Sequence, residues 1–174
     1  LEDAQVEAIC AATAQGEVVE AVNYNSPGQI VIAGHTAAVE RAMAAAKEAG
    51  AKRALPLPVS VPSHCSLMKP AADKLAAALE SVSVAAPQIR VIHNADVAAH
   101  NDPAAIKDAL VRQLYSPVRW TETVNLLVSD GLAESAECGP GKVLAGLAKR
   151  INKDAVCTAL TGSAQVEAFI AAHS

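Results

Sequence analysis

Glu17-Val18-Val19-Glu20-Ala21-Val22-Asn23-Tyr24-Asn25-Ser26-Pro27-Gly28-Gln29-Ile30-Val31-Ile32-Ala33 is the stretch on which the fold turns. Residues 17–24 and 29–33 are rich in β-branched side chains and read as two strands. Pro27-Gly28 is a turn pair: Pro presets the first central dihedral, and Gly accepts positive φ at the second. The stretch is therefore a hairpin, with helical patterns on both sides. Residues 3–14 carry Val6, Ile9, Cys10 and Thr13 on one face at helical spacing, with Asp3 as N-cap. Thr36 can cap a helix over 37–49, which Gly50 stops. Residues 53–59 read as a further strand. Its Pro56 and Pro58 point their missing N–H groups to one side, as an edge strand allows. The order α-β-β-α-β is the split βαββαβ ferredoxin-like unit without its first strand. The chain opens Leu1-Glu2-Asp3, without Met, and enters a helix at once, which is how an internal fragment begins.

Beyond this third, helices and strands alternate. A helix is expected over 66–81, with Pro70 near its first turn, and a buried strand over 89–94. Asp102 as N-cap and Pro103 at the first position start a helix over 103–114. Ser116-Pro117 repeats that signal for a helix running to 130, stopped by Gly131. Strands at 133–137 and 156–160, a helix over 142–151 and a last helix capped by Ser163 complete the pattern. Such alternation indicates a mainly parallel α/β layer.

Composition narrows the function classes. The chain has 174 residues, of which 52% are hydrophobic and 2% aromatic, so its core is aliphatic and alanine-rich. A net charge of −4 gives no basic face for nucleic acid. No apolar run is long enough for a membrane span, and no signal peptide opens the chain. Cys10, Cys65, Cys138 and Cys157 form no CxxC pattern and no disulfide framework, which points to reduced cytosolic thiols. His35, His93, His100 and His173 have no partners at metal-ligand spacing. Ala136 and Val143 stand where a P-loop needs glycine and Ser or Thr, so Gly139-Pro140-Gly141-Lys142 reads as a tight strand-to-helix turn.

His64, in Val59-Ser60-Val61-Pro62-Ser63-His64-Cys65, follows a proline-broken strand and precedes a helix. In α/β layers that edge is where ligands bind. Small polar neighbours, Ser63, Cys65 and Ser66, leave room for a substrate. An imidazole there can take a proton from a hydroxyl nucleophile and return it to a leaving group. A helix-capping or hydrogen-bonded surface histidine fits the spacing as well. Asn23 and Asn25 can bind a substrate or stabilise the hairpin. Cys65 reads as packing. Lys149, Arg150 and Lys153 form a cationic helix end that is either solvated or met by an acidic partner.

Four segments resemble one family. Asn23 to Gly34 is similar to the NxNxPxQxVI(A/S)G segment of acyl-carrier-protein transacylases and polyketide acyltransferase domains. Val59 to Cys65 resembles the family's catalytic-histidine loop. Arg112-Gln113-Leu114-Tyr115-Ser116-Pro117-Val118-Arg119-Trp120 resembles its QLxxPVxW segment, and Glu137-Cys138-Gly139-Pro140-Gly141-Lys142-Val143-Leu144 its E(I/V)GPGKVL turn. The four occur in family order over nearly the whole chain and look most like the malonyl-CoA–acyl-carrier-protein transacylases of bacterial fatty acid synthesis.

The resemblance implies an α/β-hydrolase-like parallel-sheet core with an inserted ferredoxin-like subdomain. It assigns residues 1–61 to that subdomain and 62–174 to the C-terminal part of the core. It implies a serine nucleophile that attacks malonyl-CoA, His64 as its base, and the main-chain carbonyl of Gln113 as the third member of the triad. The malonyl group then passes to the phosphopantetheine thiol of acyl carrier protein. Asn23, Asn25 and Ser63 fall on the substrate side; Ser63 stands where many malonyl-specific relatives carry an aromatic residue. Lys149, Arg150 and Lys153 are the expected contact with the acidic carrier protein. No cofactor or metal is implied, and the complete enzyme is expected to be a cytoplasmic monomer. The family's GHSxG elbow is absent: the chain has no GxSxG. The nucleophile is therefore expected on an N-terminal part of the same protein. The competing expectations are a non-catalytic ferredoxin-like binding module and an inactive fragment.

Overall fold

The hairpin forms where the sequence places it. In the computed structural model, which describes residues 1–173, β1 (Val19–Ser26) turns through Pro27-Gly28 into β2 (Gln29–Gly34), and the two pair antiparallel. Gly28 has a φ of +74°, as the turn requires. The register slips between Ala21 and Asn23 and again between Tyr24 and Ser26, so Val22 and Asn25 are the extra residues of two bulges. His35 extends the ladder one step: its N–H donates to the Val18 carbonyl at 2.8 Å, and the Val18 N–H donates to His35 Nδ1 at 2.9 Å.

Helices α1 (Asp3–Thr13) and α2 (Thr36–Glu48) pack on this hairpin. Cys10, Val19, Ala38 and Ala42 form the buried core, flanked by Val6, Ile9, Ile32 and Val39. Ala38 and Ala42 carry nothing beyond Cβ, so α2 can lie close to the strands, and the low aromatic content costs no packing here. Arg41 ties the helices together. Its Nε donates to the Thr13 carbonyl and its Nη2 to Ala14 and Glu17, each at 2.9 Å. A cation thus meets the carbonyl end of α1.

The chain falls into two compact units, Leu1–Trp120 and the residues from Thr121 on. The rest of the first unit holds a 3-10 turn (Ser66–Met68), α3 (Lys69–Glu80), the short antiparallel pair β3 (Ile92–His93) and β4 (Ala98–Ala99), and α4 (Pro103–Arg112). Asp102 caps α4 as expected, accepting from the Ala105 N–H at 2.9 Å. The second unit contains most of α5 (Trp120–Ser129), with β5 (Glu134–Cys138), α6 (Val143–Ile151), β6 (Val156–Leu160) and α7 (Ser163–Ala172). β5 and β6 pair in parallel, and α6 and α7 pack on β6.

The fold is α/β, but several elements differ from expectation. Residues 53–59 form no strand. Pro56 and Pro58 cannot donate, and the N–H groups of Val59 and Ser63 turn back to Leu57 and Val61 at 2.8 and 2.9 Å. Pro58 and Pro62 sit at the centres of these two tight turns, where their fixed φ fits. The expected strand at 89–94 shrinks to two paired residues, with Ile89 and Val91 exposed. The helix expected from Ser116-Pro117 starts at Trp120, because Val118 is extended and bridges β1. Glu2 occupies the cap position expected for Asp3, and its N–H donates to Gln5 Oε1 at 2.9 Å. Thr36 and Ser163 are first helical residues rather than caps. Among the described residues the expected mainly parallel layer is replaced by three separate two-stranded sheets, one parallel and two antiparallel.

Asp96 pins the β3–β4 loop to the end of α4. Its Oδ2 accepts from Arg112 Nη2 at 2.7 Å and lies 2.9 Å from His100 Nε2, while Arg112 Nε reaches Asp108 at 2.6 Å. Burial works to raise the Asp96 pKa. The hydrogen bonds and charges of Arg112 and His100 outweigh it and hold the carboxyl at about 2. In the same loop Val97 has a φ of +56°, rare for a β-branched residue and tolerated only where neighbours enforce it.

Two outcomes are expected. A Cβ on Gly34 would run into the Val18 carbonyl. Gly34→Ala should therefore destabilise the first unit by about 1–3 kcal/mol, read from the urea midpoint. A depressed carboxylate pKa adds stability above the unfolded pKa, which is lost as pH falls through the folded one. Asp96→Asn should be less stable than the parent at pH 7, and the gap should close between about pH 4 and pH 2 in thermal melts.

Candidate active site

His64 stands in an unusual backbone. Its φ is +67°, in the left-handed region that non-glycine residues rarely enter. Such a conformation persists when its surroundings over-determine it. Two successive carbonyls do much of this. The His64 N–H donates to the Leu114 carbonyl at 3.0 Å, and His64 Nδ1 lies 2.8 Å from the Gln113 carbonyl oxygen. A carbonyl only accepts, so Nδ1 carries the hydrogen, and in the neutral ring Nε2 keeps its lone pair. The ring is half-buried.

The sequence explains why those carbonyls are available. Gln113 follows the last residue of α4, where carbonyls lose their intrahelical partners. The helical partner of the Gln113 carbonyl would be the N–H of residue 117, and Pro117 has none. The partner of the Leu114 carbonyl would be the Val118 N–H, which instead donates to the Val22 carbonyl at 2.9 Å. The Val118 carbonyl in turn accepts from the Tyr24 N–H at 2.9 Å. The bulged strand β1 thus holds residue 118, and the segment just before it holds His64.

The loop is also tied on its other side. Glu20 of β1 accepts from the Ser66 N–H at 2.9 Å and from Ser66 Oγ at 2.6 Å. Cys65 is fully buried, and its Sγ lies 3.2 Å from the Pro62 carbonyl oxygen. Burial pushes its thiol pKa up, so it behaves as packing and not as a nucleophile.

Of the residues singled out in the sequence, the structure joins His64 and Gln113 directly. Asn23 is half-buried on β1 and bridges Val118, beside the segment that holds the histidine. Asn25 is half-buried at the second bulge, and Ser63 is exposed. No side-chain hydrogen bond links these three to His64 among the described residues. Lys149 and Arg150 are exposed in the last turn of α6, and Lys153 follows it. Their positive charges suit a helix C-terminus.

Gly139-Pro140-Gly141-Lys142 forms the expected turn from β5 to α6, and Glu137 Oε2 reaches across it to accept from the Ala145 N–H at 2.8 Å. Among the described residues no group of three or more His, Cys, Asp or Glu is placed to hold a metal ion, and no helix is long and apolar enough to cross a membrane. Sequence reasoning missed Glu20, Leu114 and Val118. Pro117, four residues after Gln113, was the available signal for the free carbonyl.

Comparison with known proteins gives the family and the fold it shares. The family model for the acyl transferase domain matches residues 1–165. The malonyl CoA-acyl carrier protein transacylase of Salmonella typhimurium is 57% identical over 170 residues, 98% of this chain and 55% of the relative. The crystal structure of an acyl carrier protein S-malonyltransferase from Vibrio cholerae superposes with a TM-score of 0.95 at 60% identity, covering 97% of this chain and 55% of that one. A malonyl-transacylase in complex with its type II PKS acyl-carrier protein gives a TM-score of 0.94 at 53% identity, over 96% of this chain and 54% of that one. The chain spans about half the length of the curated relatives it matches. Family match, fold and the ordered motifs around His64 agree that this chain belongs to the acyl transferase domain family.

Proposed function

We propose that this chain supplies the general base of a malonyl transfer from malonyl-CoA to the phosphopantetheine thiol of acyl carrier protein. The observation that carries the reading is the 2.8 Å approach of His64 Nδ1 to the Gln113 carbonyl oxygen, which leaves Nε2 free to accept a proton. A serine on a part of the protein outside this chain attacks the malonyl thioester while Nε2 takes its proton. CoA leaves as the thiol, taking that proton back. The carrier's thiol then attacks the malonyl-serine ester, again through Nε2, and the serine is restored.

In this reading Asn23, Asn25 and Ser63 contact the acyl group, and Lys149, Arg150 and Lys153 meet the acidic carrier protein. Residues 1–61 act as a ferredoxin-like subdomain and residues 62–174 as part of an α/β-hydrolase-like core. Two helices packed on one hairpin, and the parallel pair β5–β6, support that division. The reaction needs no redox cofactor or metal, and the complete enzyme works as a cytoplasmic monomer. The names of the relatives and the carrier-protein complex among the solved structures support the choice of substrates.

The isolated chain should take up no radiolabel from malonyl-CoA, whereas the chain joined to a serine-bearing N-terminal half should. In the joined protein His64→Ala should lower turnover by about two to four orders of magnitude. Gln113→Ala keeps the main-chain carbonyl and should stay within roughly five-fold of the parent. Turnover of His64→Ala within a few-fold of the parent would remove the base assignment. A collapse in Gln113→Ala, with the fold intact, would move the orienting role from the main chain to the side chain.

A further inference from the structure

We propose that Glu20 is a positioning residue for His64: its carboxylate latches the loop beyond the histidine to the hairpin. The inference rests on the reading of His64 as the base. Gln113 and Leu114 hold the ring and the N–H of His64. Neither reaches the chain that leaves the histidine. There the 3-10 turn starting at Ser66 has Cys65 in its cap position, and Cys65 makes no side-chain cap hydrogen bond. Glu20, 46 residues away in sequence, supplies the missing acceptors. One oxygen takes the Ser66 N–H at 2.9 Å and the other takes Ser66 Oγ–H at 2.6 Å.

The placement of Glu20 needs such a role. It is half-buried on β1, close to the buried Val19 and Val22. A carboxylate drawn partly out of water is costly unless its oxygens find donors, and Ser66 provides two. The same strand holds residue 118 through Val22 and Tyr24. One strand therefore fixes both arms of the site, the segment carrying the Gln113 carbonyl and the loop carrying the ring. Releasing one arm lets the ring drift from its acceptor, and misplacement by about 1 Å can cost on the order of 100-fold in rate.

Three substitutions separate position from charge. Glu20→Gln can still accept from the Ser66 N–H and can donate to Oγ, so it keeps the latch and loses the charge. Glu20→Ala loses both hydrogen bonds. Glu20→Asp keeps the charge but falls one methylene short, and serves if the alanine variant does not fold. In the 174-residue chain the readout is solvent exchange of the His64 Nδ1–H, followed by NMR with labelled histidine. Exchange should accelerate by roughly ten-fold or more in Glu20→Ala and Glu20→Asp and stay near the parent in Glu20→Gln.

In the joined enzyme, Glu20→Ala should lose about 10- to 100-fold in kcat with KM changed less than about three-fold, and Glu20→Gln should stay within about three-fold. Parent-like exchange and kcat in Glu20→Ala would overturn the latch. So would a Glu20→Gln variant as damaged as Glu20→Ala, since charge would then be the active property. The exchange measurement does not depend on acyl transfer. Altered exchange in an enzyme that transfers no malonyl keeps the latch and removes the catalytic reading, whereas a dead His64→Ala beside an unaffected Glu20→Ala does the reverse.

Discussion

One histidine held by two neighbouring carbonyls is the constraint around which the first unit is arranged. Gln113 and Leu114 accept from the ring and the main chain of His64 because their own helix has ended. That ending is enforced twice. Pro117 removes the N–H that the Gln113 carbonyl would have used, and β1 draws away the Val118 N–H that the Leu114 carbonyl would have used. The register slip at Val22 coincides with that diversion, since the Val22 carbonyl is the group that receives it. The Asp96–Arg112 pair anchors the last turn of α4 one residue before Gln113. These features lie in separate elements, yet each bears on where a single carbonyl oxygen points.

The choice of a carbonyl as partner has chemical content. It fixes the tautomer as a carboxylate would, by demanding a donor at Nδ1. It brings no full negative charge, so it stabilises an imidazolium less than a carboxylate does. Accurate aim is then the main service the surroundings can give the ring, and aim depends on the backbone. A main-chain oxygen cannot be repositioned by a rotamer change. Its place is set by the path of residues 112–118, and that path is tied to β1.

Features that depend on neighbours in sequence were mostly legible, although the caps expected at Asp3, Thr36 and Ser163 each fall one residue earlier, and features that depend on distant partners were not. The Pro27-Gly28 turn, the Asp102 cap and the stops at Gly50 and Gly131 are local chemistry, and each was read correctly. The turn after Glu137 is local too. Residues 53–59, 89–94 and 116–119 carried plausible local signals and were misread. At 53–59 the prolines turned the chain back on itself, and at 89–94 pairing is confined to Ile92–His93 with Ala98–Ala99. At 116–119 a partner far away in the chain decided the outcome, β1 drawing Val118 into a bridge. Glu20 was unreadable for the same reason, because its partner lies 46 residues on. The Gln113 carbonyl was reached by resemblance alone, since a main-chain acceptor leaves no mark in its side chain.

The approach to His64 shows where its geometry must come from. Leu55, Leu57, Val59 and Val61 alternate as a strand would, yet all four are exposed, by 69, 57, 66 and 52%. Local turns around Pro58 and Pro62 satisfy two donors there without tying the segment to another element. Segments with few buried apolar contacts contribute little to holding a neighbour in place. Within this chain the left-handed histidine therefore draws little restraint from the residues that precede it. Its position has to be set from the ring side, by Gln113 and Leu114, and from the chain that follows, by buried Cys65 and by Ser66 on Glu20. Both sets of restraints converge on β1, so a hairpin that carries no atom of the proposed proton transfer governs the geometry of the residue that does.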